Sequence, residues 1–251
     1  IAGGALFDRR SRPPEPTALG LAYLEDTRPL LDEIDRSLTR LRDRARGLQG
    51  TVRIGATPSA ISDRIAPAIT AFRAAHPGYA VLLHDDIAET LAQMVAEDRL
   101  DLAVAGRARS SPDLVQTEIS ADRIGLACHR DHPLAQSGGP IRLRDIDPTG
   151  VIHLSADTGT AQLLAESAQV PAALKSGPLR SHSTIGQLCL VRAGAGVALL
   201  PRNAVLLFND PNLRFVEVAD LTIERRLYLL RPARRALPRA AEIFLSALEL
   251  G

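Results

Sequence analysis

The sequence has no tryptophan and few other aromatic residues, with 5 Phe and 3 Tyr among 251 residues. Proteins that bind single-stranded nucleic acid by stacking need a set of rings, so the composition argues against that class. Cysteine is scarce as well. Cys128 and Cys189 form no CxxC motif, which excludes a disulfide scaffold and fits a reducing cytoplasm. We interpret both as small, buried hydrophobic residues, and the alternative is a redox pair.

Strong charge and long apolar runs are also missing. The formal net charge is +1, so the whole chain has little electrostatic attraction for nucleic acid or membranes. No apolar run reaches the roughly 18 residues of a membrane span, and the N-terminus lacks a signal-peptide pattern. We therefore expect a cytoplasmic protein with no membrane partner. The 45% hydrophobic content can fill the core of one large or two modest domains.

The stretch GTVRIGATPS, residues 50–59, is typical of a buried strand that runs through a polar loop into a helix. Ser59 or Ser62 is the expected helix cap. Beyond the carboxyl end of such a strand, the helix N-terminus favours an anion. Thr57 and Ser59 are therefore predicted ligand residues. The alternative is that they only cap a structural helix.

Strands and helices then alternate in a way that predicts a parallel sheet. Residues 79–83 and 100–105 have the pattern of strands, and residues 87–98 have the pattern of a helix. Arg107 follows the last of these strands. Its guanidinium is suited to a ligand carboxylate, and the alternative is a surface ion pair.

The second half repeats the arrangement of strand, polar loop and helix. Ser155 and Thr158 follow a predicted strand at residues 151–154, and residues 179–184 lead into a helix at 185–192. Two such domains facing each other across a cleft form a ligand clamp. The predicted fold class is α/β, with two Rossmann-like subdomains and a cleft between them.

The C-terminal part is predicted to return to the first subdomain. Residues 226–230 read as a strand, which is followed by an amphipathic helix. The chain would then cross between the subdomains near residues 125 and 221. The apolar positions of the closing helix are Ala240, Phe244 and Leu248.

Residues 17–48 have the pattern of one long helix, with Thr17 as its expected cap. Apolar residues recur every seven positions, in two series offset by three, which indicates a helix that pairs with another helix. We predict dimerisation through it. The alternative is an amphipathic helix lying on its own domain. The predicted dimerisation residues are Leu24, Leu31, Ile34, Leu38 and Leu41.

Four stretches together resemble a LysR-type transcriptional regulator that lacks most of its N-terminal DNA-binding domain. LFDRR with the later Thr17 and Gly20 is similar to the wing of a winged helix-turn-helix and the start of a linker helix. GTVRIGATPS followed by FRAAHPG is similar to the opening of the effector domain. LDLAVAG with HRDHPLA is similar to the junction of the two subdomains, and LVRAGAGVALLP to a helix-glycine-strand segment near the cleft.

The resemblance implies a cytoplasmic, ligand-responsive regulator without a cofactor or an enzymatic activity. Its effector module would resemble type 2 periplasmic binding proteins, and it would form a homodimer or homotetramer. The implied domains are a wing remnant at 1–16, a linker helix at 17–49, effector subdomain I at 50–124 plus 222–251, and effector subdomain II at 125–221.

The resemblance also carries over particular residues. Together with Arg107, the positions that match the cleft motifs give the predicted effector-binding set: Thr57, Ser59, Thr90, Arg107, Ser155, Thr158, His182, Ser183 and Thr184. The wing would contact DNA phosphates through Arg9, Arg10 and Arg12, and the alternative for these is a solvated loop. Since the helices that read the major groove are absent, we do not expect specific operator binding by this chain alone.

Three weaker patterns are interpreted as structural. His129 and His132, with residues 84–86, have metal-binding side chains, but they lie on separate predicted strand ends. The GxG at residues 194–196 follows a helix and is expected to end it. The arginines from Arg225 to Arg239 are interpreted as a solvated face.

Two other classes of function share this architecture. A solute-binding protein of a transport system needs export, for which no signal is present, and an enzyme needs an acid, base or nucleophile set, which we do not find. The cleft candidates are hydroxyls, one histidine and helix N-termini. These favour a small carboxylate or another compact anion as the effector.

Overall fold

The computed structural model describes residues 4–8, 12–45, 49–156, 158–206 and 209–249. It begins with an antiparallel hairpin of β1 (Phe7–Asp8) and β2 (Glu15–Pro16), at the position of the predicted wing. The long helix α1 (Ala18–Ala45) follows, with Pro29 inside it. Thr17 caps α1 as predicted, because its Oγ1 accepts a hydrogen bond from the Gly20 amide at 3.1 Å.

The first subdomain is built on a mostly parallel sheet, as the alternation of elements predicts. The central strand pairs in parallel with its two neighbours, and the C-terminal strand lies inside the sheet, antiparallel to one of these neighbours and to the long strand described below. These strands are β3 (Gly50–Ala56), β4 (Tyr79–Asp85), β5 (Leu102–Ala105) and β11 (Glu224–Pro232).

Helices cover this sheet and close the core. A continuous helical run follows β3, and it packs on the sheet together with the C-terminal helix. Ile54 from the sheet and Phe72 and Phe244 from the helices are fully or almost fully buried in the core between them. As predicted, that C-terminal helix returns to the first subdomain. The helices are α2 (Pro58–Ala60), a π-helical turn (Ile61–Ile65), α3 (Ala66–Ala75), α4 (Ala88–Ala96) and α8 (Arg239–Glu249).

A single long strand, β6 (Leu114–His129), connects the two subdomains. Residues 114–123 pair with β11, and residues 124–129 pair with strands of the second subdomain. Residues 122–134 have the sequence pattern of a strand that ends at a turn, which predicts only the second part of β6. Its first part carries alternating polar residues on a half-exposed ladder, so it lacks the continuous apolar signal of a buried strand.

The second subdomain contains short strands and helices. The predicted strand at 151–154 shortens, because Val151 makes only an isolated bridge to Val197. The elements are β7 (His153–Leu154), α5 (Gly159–Glu166), β8 (Arg180–Ser181), α6 (Thr184–Arg192), β9 (Ala198–Pro201), α7 (Arg202–Leu206) and β10 (Leu213–Val216). Short 3-10 turns lie at Pro133–Gln136, Leu143–Asp145, Pro148–Gly150 and Ala172–Leu174.

The structure tests two local predictions, the helix end at the GxG and the burial of the cysteines. Gly194, directly after the helix, has φ +76°, so the GxG ends a helix as expected. The prediction that both cysteines are buried is wrong for Cys189, because its position on α6 faces away from the core. Cys128 is buried, and burial raises the pKa of its thiol to about 11.

Candidate functional site

Arg225, on β11, lies against the loop that follows β3. Its Nη1 donates a hydrogen bond to Ser59 Oγ at 2.6 Å, and its Nη2 donates to Thr57 Oγ1 at 3.3 Å. The Thr57 amide donates to the Val104 carbonyl at 3.1 Å, which ties the loop to β5. One guanidinium therefore holds the two hydroxyls that the sequence predicts as ligand groups.

The hydrogen bonds from Arg225 determine whether these hydroxyls can still donate their own protons. A guanidinium has only donors, so each hydroxyl must use an oxygen lone pair to accept from it. Each hydroxyl keeps its own O–H, which then points away from Arg225. Thr57 occupies the position before α2, but its side chain makes no capping hydrogen bond. The expected serine caps are also wrong, because helical structure already begins at Pro58.

Arg225 is a half-buried cation. Burial lowers the pKa of Arg225 to about 10, while the nearby Asp122 carboxylate acts to raise it. Within the part of the chain that the structure describes, no carboxylate oxygen lies within 4.0 Å of its guanidinium nitrogens. Since a partly desolvated charge without an ion pair is unfavourable, the surroundings of Arg225 favour an additional anion.

Sequence reasoning missed Arg225. The interpretation of the 225–239 arginines as a solvated face is wrong for Arg225 and for Arg235, whose Nη2 lies 2.8 Å from Asp98 Oδ1. Alternation along β11 carried the missing signal. Arg225 lies two residues before the buried Leu227, so both share one face of the strand.

The corresponding loop of the second subdomain is held by backbone groups. Ser155 Oγ donates to the Ser181 carbonyl at 3.4 Å. Thr158 Oγ1 donates to the Ser155 carbonyl at 2.9 Å and accepts from the Ala161 amide at 3.3 Å. Both hydroxyl protons are therefore engaged by carbonyls, and Thr158 is the cap of α5.

The remaining predicted residues of this subdomain lie at the start of α6. Ser183 caps that helix, because its Oγ accepts from the Gly186 amide at 3.1 Å. His182 is exposed, and Thr184 is half-buried in the first turn. Ser181 joins this group to the Ser155 loop, because its Oγ donates to the Ser183 carbonyl at 2.9 Å and its carbonyl accepts from the Ser155 amide at 2.9 Å.

Thr90 and Arg107 lie elsewhere on the first subdomain. Thr90 is half-buried in the first turn of α4, and Arg107 is exposed, with its guanidinium carbon 5.8 Å from the centre of the Tyr228 ring. Among the described residues, no hydrogen bond or ion pair joins either of them to Arg225. The structure thus brings together only part of the predicted set.

Behind the second loop lies a small polar cavity of about 30 Å³. His153 Nε2 and Gln187 Oε1 line it, and both are buried without a partner among the described residues. Burial lowers the pKa of His153, and the charge of Arg180 adds to this effect. The volume and the two polar atoms fit one water molecule.

The histidines of the rejected metal pattern stabilise turns. His129 Nδ1 accepts from the Asp131 amide and His132 Nδ1 from the Leu134 amide, each at 3.2 Å. Across the described ranges, no group of three or more His, Cys, Asp or Glu side chains has the geometry of a metal site.

The long helix α1 presents an apolar surface to solvent. All five predicted dimerisation residues are exposed in the single chain, and Leu31 and Leu41 are 60% and 64% accessible. Arg28 on α1 lies 3.2 Å from Glu97, directly after α4, so this ion pair joins α1 to the first subdomain. Arg12 is exposed, whereas Arg9 and Arg10 lie outside the described residues.

The sequence matches a known protein family. Residues 45–250 match the family model of the LysR substrate binding domain. The HTH-type transcriptional regulator BenM of Acinetobacter baylyi is 26% identical over 227 residues, which cover 87% of this chain and 72% of that protein.

Solved structures agree with the fold. Full-length CbnR complexed with its target DNA has a TM-score of 0.71 at 19% identity, covering 99% of this chain and 84% of that one. The BenM effector-binding domain with its effector benzoate has a TM-score of 0.65 at 21% identity, covering 81% and 92%. These similarities confirm the predicted α/β fold with two subdomains and a cleft. In the described residues, no helix is both long and apolar enough to cross a membrane.

Proposed function

The chain belongs to the LysR family of transcriptional regulators, and we propose that its effector is a small organic anion held by Arg225, Thr57 and Ser59. The observation that carries this proposal is the half-buried Arg225 guanidinium, which binds two hydroxyls and no carboxylate among the described residues. An anion placed there would receive both hydroxyl protons and would neutralise the cation.

The similar structures support the same chemistry. The BenM effector-binding domain was solved with benzoate, which is a carboxylate. A carboxylate in the present cleft would contact Arg225 on one side, and the start of α6 would close over it from the second subdomain. Of the hydroxyls on that side, Ser183 and Thr184 are our favoured contacts, since the protons of Ser155 and Thr158 are already bound by carbonyls.

The subdomain division at 50–124 plus 222–251 and at 125–221 is supported by the buried clusters, because Ile54 and Phe244 share one core and Leu126 and Leu199 are buried on the other side. The wing at 1–16 would contact DNA, and the linker helix at 17–49 would connect it to the two effector subdomains. We propose that the protein acts in the cytoplasm, as a regulator and not as an enzyme or a transport solute-binding protein.

Oligomerisation through α1 is part of the same proposal. Its exposed leucines and Ile34 would become buried against α1 of a second copy. Replacement of Leu31 and Leu41 by Arg should therefore reduce the mass measured by light scattering, with no loss of the circular dichroism of the effector module. An unchanged oligomer would contradict this role of α1.

A thermal-shift screen of small organic acids tests the effector site. Stabilisation by a bound acid follows its affinity and free concentration. Arg225→Gln should abolish the stabilisation, whereas Arg226→Gln should keep it. Arg226 is the matched control because it neighbours Arg225 on β11 but makes an exposed ion pair with Glu118 at 2.9 Å. Equal responses in both variants would contradict the proposal.

A further inference from the structure

Arg225 and Asp122 are placed to form an ion pair that the side chains do not make. They are direct cross-strand partners on β11 and β6. Opposite residues on one face of such a ladder have Cβ atoms about 5 Å apart, so a salt bridge is the expected outcome. Their charged atoms nevertheless lie more than 4.0 Å apart. The same two strands carry an intact, exposed pair between Arg226 and Glu118.

The two partners turn toward different subdomains. Arg225 donates to Ser59 and Thr57 at the start of α2. Asp122 Oδ2 accepts from the Asn203 amide at 2.7 Å, at the start of α7. The helices α2 and α7 are in contact, so the two groups lie at the junction of the subdomains, with a cation on one side and a carboxylate on the other.

The surroundings of Asp122 are mixed in charge. The pKa of Asp122 is raised, mainly by burial and to a smaller extent by the charge of Asp63. The Asn203 hydrogen bond and the charges of Arg225 and Arg202 act to lower it. In the described part of the chain its Oδ1 has no hydrogen-bond partner. This oxygen can accept a hydrogen bond, so a bound molecule pairs with it only by offering a hydrogen-bond donor.

We infer that Asp122 sets the specificity of the Arg225 site, which accepts a monocarboxylate carrying a hydrogen-bond donor and rejects a dicarboxylate. This inference rests on the proposed function, because it assumes that the ligand carboxylate binds Arg225. A hydroxyl or an ammonium group on the same ligand would donate to Asp122 Oδ1. A second carboxylate would instead be repelled by the Asp122 charge.

Two matched series of acids test the inference at constant ionic strength. The short series is acetate, glycolate, glycine and oxalate, and the ring series is benzoate, 4-hydroxybenzoate, 4-aminobenzoate and terephthalate. Stabilisation of the full chain is measured by thermal shift, and affinity by calorimetry. In at least one series, the hydroxy or amino acid should bind at least tenfold more tightly than the diacid. The hydroxyl and amino arms identify which donor the site takes.

The variants separate the two levels of the proposal. Asp122→Asn should reduce the preference over the diacid at least tenfold, while Glu118→Gln, the matched acid on β6, should leave it unchanged. A wild-type protein that binds diacids as tightly as the donor acids would overturn the specificity and leave the anion site standing, as would a preference unaltered by Asp122→Asn. Stabilisation that persists in Arg225→Gln, or no stabilisation by any acid, would overturn both.

Discussion

The loops after β3 and β7 have the same sequence pattern and different surroundings. Each places hydroxyl residues between a strand and a helix start. In the first subdomain, Thr57 and Ser59 accept hydrogen bonds from Arg225 and keep their protons available. In the second, Ser155 and Thr158 donate their protons to main-chain carbonyls. The partner of the hydroxyl, and not the pattern itself, decides whether it can bind an anion.

The largest difference between the loops should appear in ligand affinity. Ser59→Ala removes a donor to the anion and one acceptor of Arg225, so the affinity for an acid found in the screen should fall about tenfold. Ser155→Ala removes a hydroxyl already bound to a carbonyl and should change affinity less than twofold. Calorimetry with each variant measures both values. Equal losses would show that the two loops contribute alike.

The difference should reverse for folding stability. Thr158→Ala removes the cap of α5 and should lower the free energy of unfolding by about 1 kcal/mol. Thr57→Ala removes no capping hydrogen bond and should have a smaller effect. Urea unfolding followed by circular dichroism checks the order. A larger loss in Thr57→Ala would mean that the first loop is mainly structural.

The smallest expected effect is a pH dependence confined to the second subdomain. Burial lowers the pKa of His153 below its ordinary value of 6.5, so the unfolded state takes up the proton first. Stability contributed by the neutral ring is present above that value and is lost as the pH falls below it. The urea midpoint should therefore decline from pH 7 to pH 5, and less so in His153→Gln.

The exposed His182 is the control for this pH dependence. His182→Gln should keep the decline of the wild type, because the exposed His182 ring does not line the cavity at His153. If His153→Gln and His182→Gln behave alike, the cavity at His153 does not govern the acid response.

Much of the fold was predictable because it depends on local periodicity. The alternation around β3, the cap at Thr17 and the helix end at Gly194 follow from nearby residues. The first half of β6 was not, since its partners lie about a hundred residues away on β11. Antiparallel pairing of half-exposed strands leaves only a weak pattern in the sequence.

The candidate site was predictable only in part for the same reason. Thr57 and Ser59 follow a recognisable strand, but Arg225 reaches them from more than 160 positions away. Its role depends on the register that places it on the buried face of β11 and opposite Asp122. A list of arginines in sequence cannot distinguish that position from the exposed Arg226.

The most direct test observes the Arg225 guanidinium while an anion is added. Protein labelled with 15N at arginine side chains gives one set of signals that is missing in Arg225→Gln, and this difference identifies Arg225. Titration with sodium formate, the smallest carboxylate, should move the Arg225 signals in a saturable way and leave those of Arg226 unchanged. An Arg225 signal that stays in place while other arginines respond would contradict the account.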